Sequence, residues 1–169
     1  MQQNYLHRNF GVYGVCLRDQ KLLVINKTAG PYINRYDLPG GNIEQGETLI
    51  SGLHREFMEE ARSEIKLARQ IGIAEYLVPF PLTNRGTSHI HHIAVFYLVE
   101  FIQGDLSSDK VMNNNDSGGA IWKNINELDE HNSSPLVMEA KKWLSDTSSP
   151  LPVEVQDLQD WIIRSSANE

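Results

Sequence analysis

The sequence predicts an α/β sandwich, with a mixed β-sheet held between helical layers. Two observations carry this expectation. Strand-like and helix-like segments alternate along the chain, which favours a sheet covered by helices. Residues 90–101 are the most apolar stretch, with Ile93, Val95, Tyr97 and Val99 on one face and Ala94, Phe96 and Leu98 on the other. A strand apolar on both faces needs cover on both sides. The length, 169 residues, suits one such domain with a small appendage.

Taken in order, residues 11–17 read as a strand, Asp19 and Gln20 as a turn, and residues 21–26 as the returning strand of a hairpin. Residues 28–34 contain Gly30 and Pro31 and read as loop. Residues 36–38 form a short extended piece that runs into Pro39, Gly40 and Gly41. The clearest helix follows. Thr48 stands where an N-cap hydroxyl can accept an orphan amide, and Ile50, Leu53, Phe57 and Ala61 recur at helical spacing. Residues 71–78 predict a strand, 79–88 a loop, 104–119 a long polar loop, 120–122 a short strand and 135–144 a second helix. Trp122 and Trp143 read as core. Residues 1–145 are therefore expected to form the domain, and 146–169 a linker with a short C-terminal segment. There Val155, Leu158 and Ile162 have helical spacing and predict an amphipathic helix, docked on the domain or on a partner in a homodimer.

A hydrophobic content of 40% is enough for a real core, and a net charge of −7 disfavours a general nucleic-acid binder, which would carry a basic face. A small polyanionic substrate stays open, because a bound divalent ion reverses the local field. The single cysteine, Cys16, forbids an internal disulfide and fits a reducing compartment. It lies in an apolar run and reads as a small buried hydrophobe. Residues 1–10 lack a signal-peptide core, and no stretch approaches the ~18 apolar residues of a membrane span. A cytoplasmic location without a membrane partner is expected.

The segment carrying chemistry is residues 40–60, GGNIEQGETLISGLHREFMEE. Glu56, Glu59 and Glu60 fall on one helix face, opposite the apolar stripe, with Arg55 beside them. Like charges at this spacing oppose a bare helix by a few tenths of a kcal/mol per pair, roughly. They also stand near its C-terminal end, where the macrodipole disfavours anions. Such a cluster alone is most often a solvated face. Combined with a glycine pair that lets the backbone approach a ligand, it points to a hard cation, Mg2+ or Mn2+, held by oxygen.

Gly41, Glu47, Arg55, Glu56, Phe57, Glu59 and Glu60 match in register the signature box of the Nudix hydrolase family, which this segment resembles. The resemblance extends more loosely over residues 11–144. It implies a Nudix-type α/β/α sandwich and a metal-dependent enzyme. The implied reaction cleaves a diphosphate linkage in a nucleoside di- or triphosphate, a nucleotide sugar or a similar X-linked nucleoside diphosphate. It also implies that Glu56, Glu59, Glu60 and the Gly40 carbonyl hold Mg2+ or Mn2+. One of these glutamates, or an acid from a later loop, would serve as base. Arg55 would pair with Glu47, which with Gly41 would support the site. One departure stands out: Arg62 and Ser63 occupy the box's closing glycine and apolar positions. A left-handed residue usually closes such a helix, and Arg62 resists that conformation, so a longer helix or a different turn is expected.

Other residues remain open to more than one reading. In the long loop, Asp105, Asp109 and Asp116 are solvated acids, or Asp116 is a further ligand or base. His89, His91 and His92 are structural, contact substrate, or bind zinc. Arg35 and Tyr36 bind phosphate and stack on a base, or are an ordinary surface arginine and core tyrosine. Two other functions share the implied fold. A non-catalytic nucleotide sensor would have lost the glutamates, and an allylic diphosphate isomerase would need a cysteine beside the site.

Overall fold

A computed structural model describes residues 6–82, 87–106, 117–152 and 154–165. Strand β1, Leu6–Val15, ends at Cys16 and is followed by the two-residue β2, Leu17–Arg18. Asp19 and Gln20, at φ 51° and 59°, turn the chain into β3, Lys21–Lys27. Two residues at positive φ are the connection that a two-residue hairpin requires. Next come β4 (Tyr36–Asp37), β5 (Gly40–Asn42) and α1 (Leu49–Ala61). Two long strands, β6 (Ser63–Leu82) and β7 (Thr87–Gly104), are followed by β8 (Ser117–Asn124), α2 (Pro135–Ser145) and β9 (Val155–Asp157).

The first sheet runs β5-β1-β7-β6-β9 and is mixed: β1–β7 and β6–β9 are parallel, β1–β5 and β6–β7 antiparallel. In the second, β3 pairs with β2, β4 and β8, all antiparallel. The expected hairpin is thus confined to its tip. Cys16 is where the chain changes sheets, its carbonyl accepting the Leu23 amide at 2.9 Å. The reason is burial: Val12, Tyr13 and Val15 are covered only by joining β7.

The two faces of β7 feed two cores. Ala94 and Phe96 pack with Leu136, Val137, Ala140 and Trp143 of α2, whereas Val95, Tyr97 and Val99 pack with Leu53, Phe57 and Ala61 of α1. Strand β3 divides likewise, Leu22 and Val24 against Leu23 and Ile25. The α/β sandwich is therefore the architecture found.

Helix α1 starts at a capping box. Thr48 Oγ1 accepts the Ser51 amide at 3.1 Å, and Ser51 Oγ accepts the Thr48 amide at 2.9 Å. Phe57 lies against Gly14, where any Cβ would overlap its ring. At the other end Arg62 does take the left-handed conformation, φ 44° and ψ 39°, its amide bonding to the Phe57 carbonyl. The expectation of a longer helix or another turn is corrected here. Ser63 pairs at once with Gly104, so the chain must reverse within one residue, and sheet pairing outweighs a backbone cost of about 1–2 kcal/mol.

The tail is not the expected helix. Residues 155–157 pair with Glu75–Leu77 on the open edge of β6, and the Leu158 amide bonds to the Leu77 carbonyl at 2.9 Å. Val155 and Ile162 are 55% and 72% exposed, while Leu158 and Trp161 pack on the α2-side core. The helical spacing of apolar residues had no buried face to serve, and an unpaired strand edge decided the conformation. Among the described residues no helix is long and apolar enough to cross a membrane.

Candidate active site

The carboxylate helix is assembled around Arg55. Helical side chains lean toward the N-terminus, so Arg55 reaches back along α1. Glu47 precedes the cap, and its Oε2 lies 3.2 Å from where a Cβ on Gly52 would stand. The missing side chain at Gly52 opens the track along which Glu47 and Arg55 meet. Arg55 Nε donates to Glu47 Oε1 at 2.7 Å and Nη2 to Glu47 Oε2 at 3.0 Å. Nη2 also donates to the Asn42 carbonyl at 3.0 Å, and Nη1 to Glu56 Oε1 at 2.7 Å and Glu59 Oε2 at 3.2 Å. The guanidinium's donors are thereby fully used. Arg55 holds the Glu47 carboxyl down at about 2.

Glu56 is buried, and desolvation pushes its carboxyl up despite Arg55. Glu60 is buried too, and its Oε2 accepts the Gly40 amide at 2.9 Å. Glu59 is more open, its side chain 40% exposed. The two glycines are fitted to their places. A Cβ on Gly41 would stand 2.6 Å from Glu56 Oε1, and one on Gly40, at φ 147°, would strike the Val12 carbonyl.

Arg55, Glu56, Glu59 and Gly41 line one cavity of about 400 Å3, which Lys27 and His92 also line. Carboxylate oxygens of this kind suit a hard divalent ion, and the glycine cradle brings backbone close to them. The donor set fits such an ion. Among the described residues, however, no three His, Cys, Asp or Glu side chains are grouped to hold one. Arg55 Nη1 binds one oxygen of Glu56 and one of Glu59, and Glu60 is turned to the Gly40 amide.

The remaining sequence candidates fall elsewhere. Asp109 and Asp116 lie outside the described residues, and Asp105 follows β7, its amide bonded to the Arg62 carbonyl at 3.3 Å. Arg35 and Tyr36 are absent from the cavity lining. Arg35 is buried with its guanidinium 4.2 Å from the Trp161 ring centroid, and Tyr36 carries Lys123 over its ring. Cys16 is buried in the α1-side core, its thiol pushed up to about 11 chiefly by desolvation. No cysteine stands in the cavity wall, as an isomerase would need. His91 pairs with Glu75 at 2.7 Å.

His92 is the histidine that reaches the cavity. Its Nε2 bonds to the Tyr13 hydroxyl at 2.8 Å and its Nδ1 to the Tyr32 hydroxyl at 3.1 Å. Burial holds it neutral, with its pKa down at about 3. Sequence reasoning gave no place in the site to Tyr13, Tyr32, Lys27 or Asp37, although all line the cavity. A signal existed for Asp37, a charged residue inside the extended piece before the glycine pair. It is buried, and its Oδ1 accepts the Leu38 amide at 2.9 Å and the Ser134 hydroxyl at 2.6 Å.

Comparison with known proteins fits this geometry. A model of the NUDIX domain matches residues 5–146. An ADP-ribose pyrophosphatase of Methanocaldococcus jannaschii is 32% identical over 104 residues, 62% of this chain and 57% of the relative, so the match spans little more than half of that protein. Among solved structures, a NUDIX hydrolase from Nitrosomonas europaea aligns at TM-score 0.65 and 23% identity, covering 85% of this chain and 93% of that one. An ADP-ribose pyrophosphatase from Streptococcus suis aligns at TM-score 0.54 and 15% identity, covering 88% and 98%. These structural likenesses show the fold. With the family model covering most of the chain and the box residues Glu56 and Glu59 joined by Arg55 on one cavity wall, the chain belongs to the NUDIX domain family.

Proposed function

We propose that the chain is a metal-dependent pyrophosphohydrolase that splits a diphosphate linkage in a nucleotide-like substrate. The observation that carries this reading is the shared cavity. Glu56 and Glu59 face the same space as Lys27, in a volume of about 400 Å3 that is within the ordinary range for small-molecule sites. Because the curated relative is an ADP-ribose pyrophosphatase, ADP-ribose is the first substrate to try.

Hydrolases of this family generally need a divalent metal. Glu56, Glu59 and Glu60 would hold Mg2+ or Mn2+, with the Gly40 carbonyl as a further oxygen. When bound, the ion supplies charge to the phosphate oxygens and acidifies the attacking water. The chain's own residues do the rest. A box carboxylate takes the proton of that water. Lys27 offsets phosphate charge on the cavity wall, and Arg55 fixes the rotamers of Glu56 and Glu59. Glu59 is the most exposed of the three, and its contact to Arg55, 3.2 Å, is longer than the 2.7 Å contact of Glu56.

The test measures product release from ADP-ribose, nucleoside di- and triphosphates and nucleotide sugars with Mg2+ or Mn2+. Wild type is run beside Glu59→Gln and Glu60→Gln. Turnover should vanish in excess EDTA and fall steeply in both variants. Turnover that survives EDTA and both substitutions would sink the proposal.

A further inference from the structure

The NUDIX match ends at residue 146, yet residues beyond it are bound to a loop that walls the cavity. Trp161 Nε1 donates to the Pro31 carbonyl at 2.8 Å. Its ring meets Tyr32 edge-on, with centroids 5.7 Å apart and planes at 90°. Arg35, stacked on the same indole, donates from Nη1 to the Ile162 carbonyl at 3.0 Å. Asn34 Nδ2 donates to the Arg164 carbonyl at 3.1 Å. The tail is itself fixed at its start by β9 on the edge of β6.

The loop so held presents Gly30, Pro31 and Tyr32 to the cavity that Glu56 and Glu59 also line. Its own closing bonds are internal, Ile33 amide to Gly30 carbonyl at 3.3 Å and Asn34 amide to Lys27 carbonyl at 2.8 Å. Gly30, at φ 79°, has nothing within 4 Å of a Cβ position. The loop's tip is thus open on the Gly30 side and tied down on the Pro31 and Tyr32 side. Tyr32 passes the constraint inward, through its hydroxyl bond to His92 and from there to Tyr13.

We propose that residues 154–165 act as a strap that sets the position of the Gly30-Pro31-Tyr32 wall, and that Trp161 is its positioning residue. The inference rests on the hydrolase reading. That wall carries no charged side chain, whereas the diphosphate belongs with Lys27 and the cation that the box carboxylates would hold. The wall therefore meets the uncharged part of the substrate beyond the diphosphate, a ribose or base. A strap of this kind acts on binding of the non-reacting part and leaves the chemical step alone. Its signature is a change in KM with kcat kept.

The experiment compares full-length wild type, Trp161→Ala and Trp161→Phe, with ADP-ribose as substrate. Phenylalanine keeps an aromatic edge on Tyr32 and loses only the Pro31 bond. Trp161→Ala should raise KM roughly tenfold with kcat nearly unchanged, the pattern of lost uniform binding. Amide exchange over residues 28–36 should accelerate, and Trp161→Phe should recover most of the KM. An unchanged KM with faster loop exchange would overturn the strap, because the wall would then be held but not used. Equal losses of kcat in both variants, following a lowered melting temperature, would overturn it too, by showing a role in folding alone. If wild type turns over no nucleotide, the hydrolase reading fails separately, and the strap is judged by calorimetric binding of ADP. Weaker ADP binding in Trp161→Ala sustains it, whereas equal binding, or none to wild type, overturns it.

Discussion

Arg62 closes α1 in the left-handed region, at φ 44°, where a Cβ is crowded against the backbone. An L-residue there costs about 1–2 kcal/mol relative to right-handed backbone. Arg62→Gly removes that cost. Against it stand the greater freedom of glycine in the unfolded chain, about 0.4–1 kcal/mol, and the loss of a cation at a helix C-terminus, about 0.3 kcal/mol when exposed. The balance is a gain of about 0.5 kcal/mol, or roughly 1–2 °C in melting temperature for a domain this size. Arg62→Ala separates the terms, since it discards the charge and keeps the strained backbone, so it should be neutral or slightly destabilising. Urea denaturation followed by tryptophan fluorescence measures both. The order glycine above arginine above alanine is expected. If Arg62→Gly is no more stable than Arg62→Ala, the reasoning from backbone strain is refuted. Turnover should be the same in all three proteins, because every box carboxylate is retained.

Other outcomes follow from the same contacts. Arg55→Ala should lower kcat/KM by about 10- to 100-fold, the usual effect of removing a group that orients metal ligands, and an unchanged value would deny Arg55 that task. Phe57→Ala empties the α1-side core at a fully buried position and should cost about 3–5 kcal/mol in chemical denaturation; a loss under 1 kcal/mol, roughly what a surface change gives, would mean the helix repacks. His92, with its pKa held at about 3 against an ordinary 6.5, makes stability depend on acid. The unfolded chain takes the proton first, so this contribution is whole above pH 6.5 and is lost as pH falls toward 3. At pH 5 the loss is about 2 kcal/mol, and His92→Phe should lack it; parallel stability-against-pH curves for the two proteins would contradict this.

Much of this molecule is written locally. The stripe Leu53, Phe57 and Ala61 and the Thr48 cap mark α1 within its own segment, and the two-sided apolar pattern of β7 announces two helical layers. The carboxylates Glu56, Glu59 and Glu60 were legible from the glycine pair, the helix spacing and the resemblance to the Nudix box together. What stayed hidden depends on long-range pairing. Residues 11–17 and 21–26 look like a simple hairpin, yet β1 leaves for β7, and nothing near Cys16 marks the change of sheet. The tail's spacing suited a helix, but the open edge of β6 was the stronger partner. In the site, Tyr13, Tyr32 and His92 come from three separate segments, so only the folded chain shows that they meet. The Glu47–Arg55 pair joins residues eight positions apart. It closes because Glu47 stands before the helix and its carboxylate lies over Gly52, a placement that needs the folded chain to be seen.

The parallel ladder of β1 on β7 also sets an order of events. Tyr13 and its partner His92 lie 79 residues apart, and Val12 and Val15 are buried only once that ladder exists. At a synthesis rate of 5–20 residues per second, the first strand waits roughly 4–16 s for its mate to be made. Hairpin β6–β7 joins neighbours in sequence and can form as soon as it is made, whereas β1, with β5 along its other edge, can dock on β7 only afterwards. Closing so long a loop is slow. Strand β1 therefore docks only after the β6–β7 hairpin exists, and its apolar residues need protection while the chain is young.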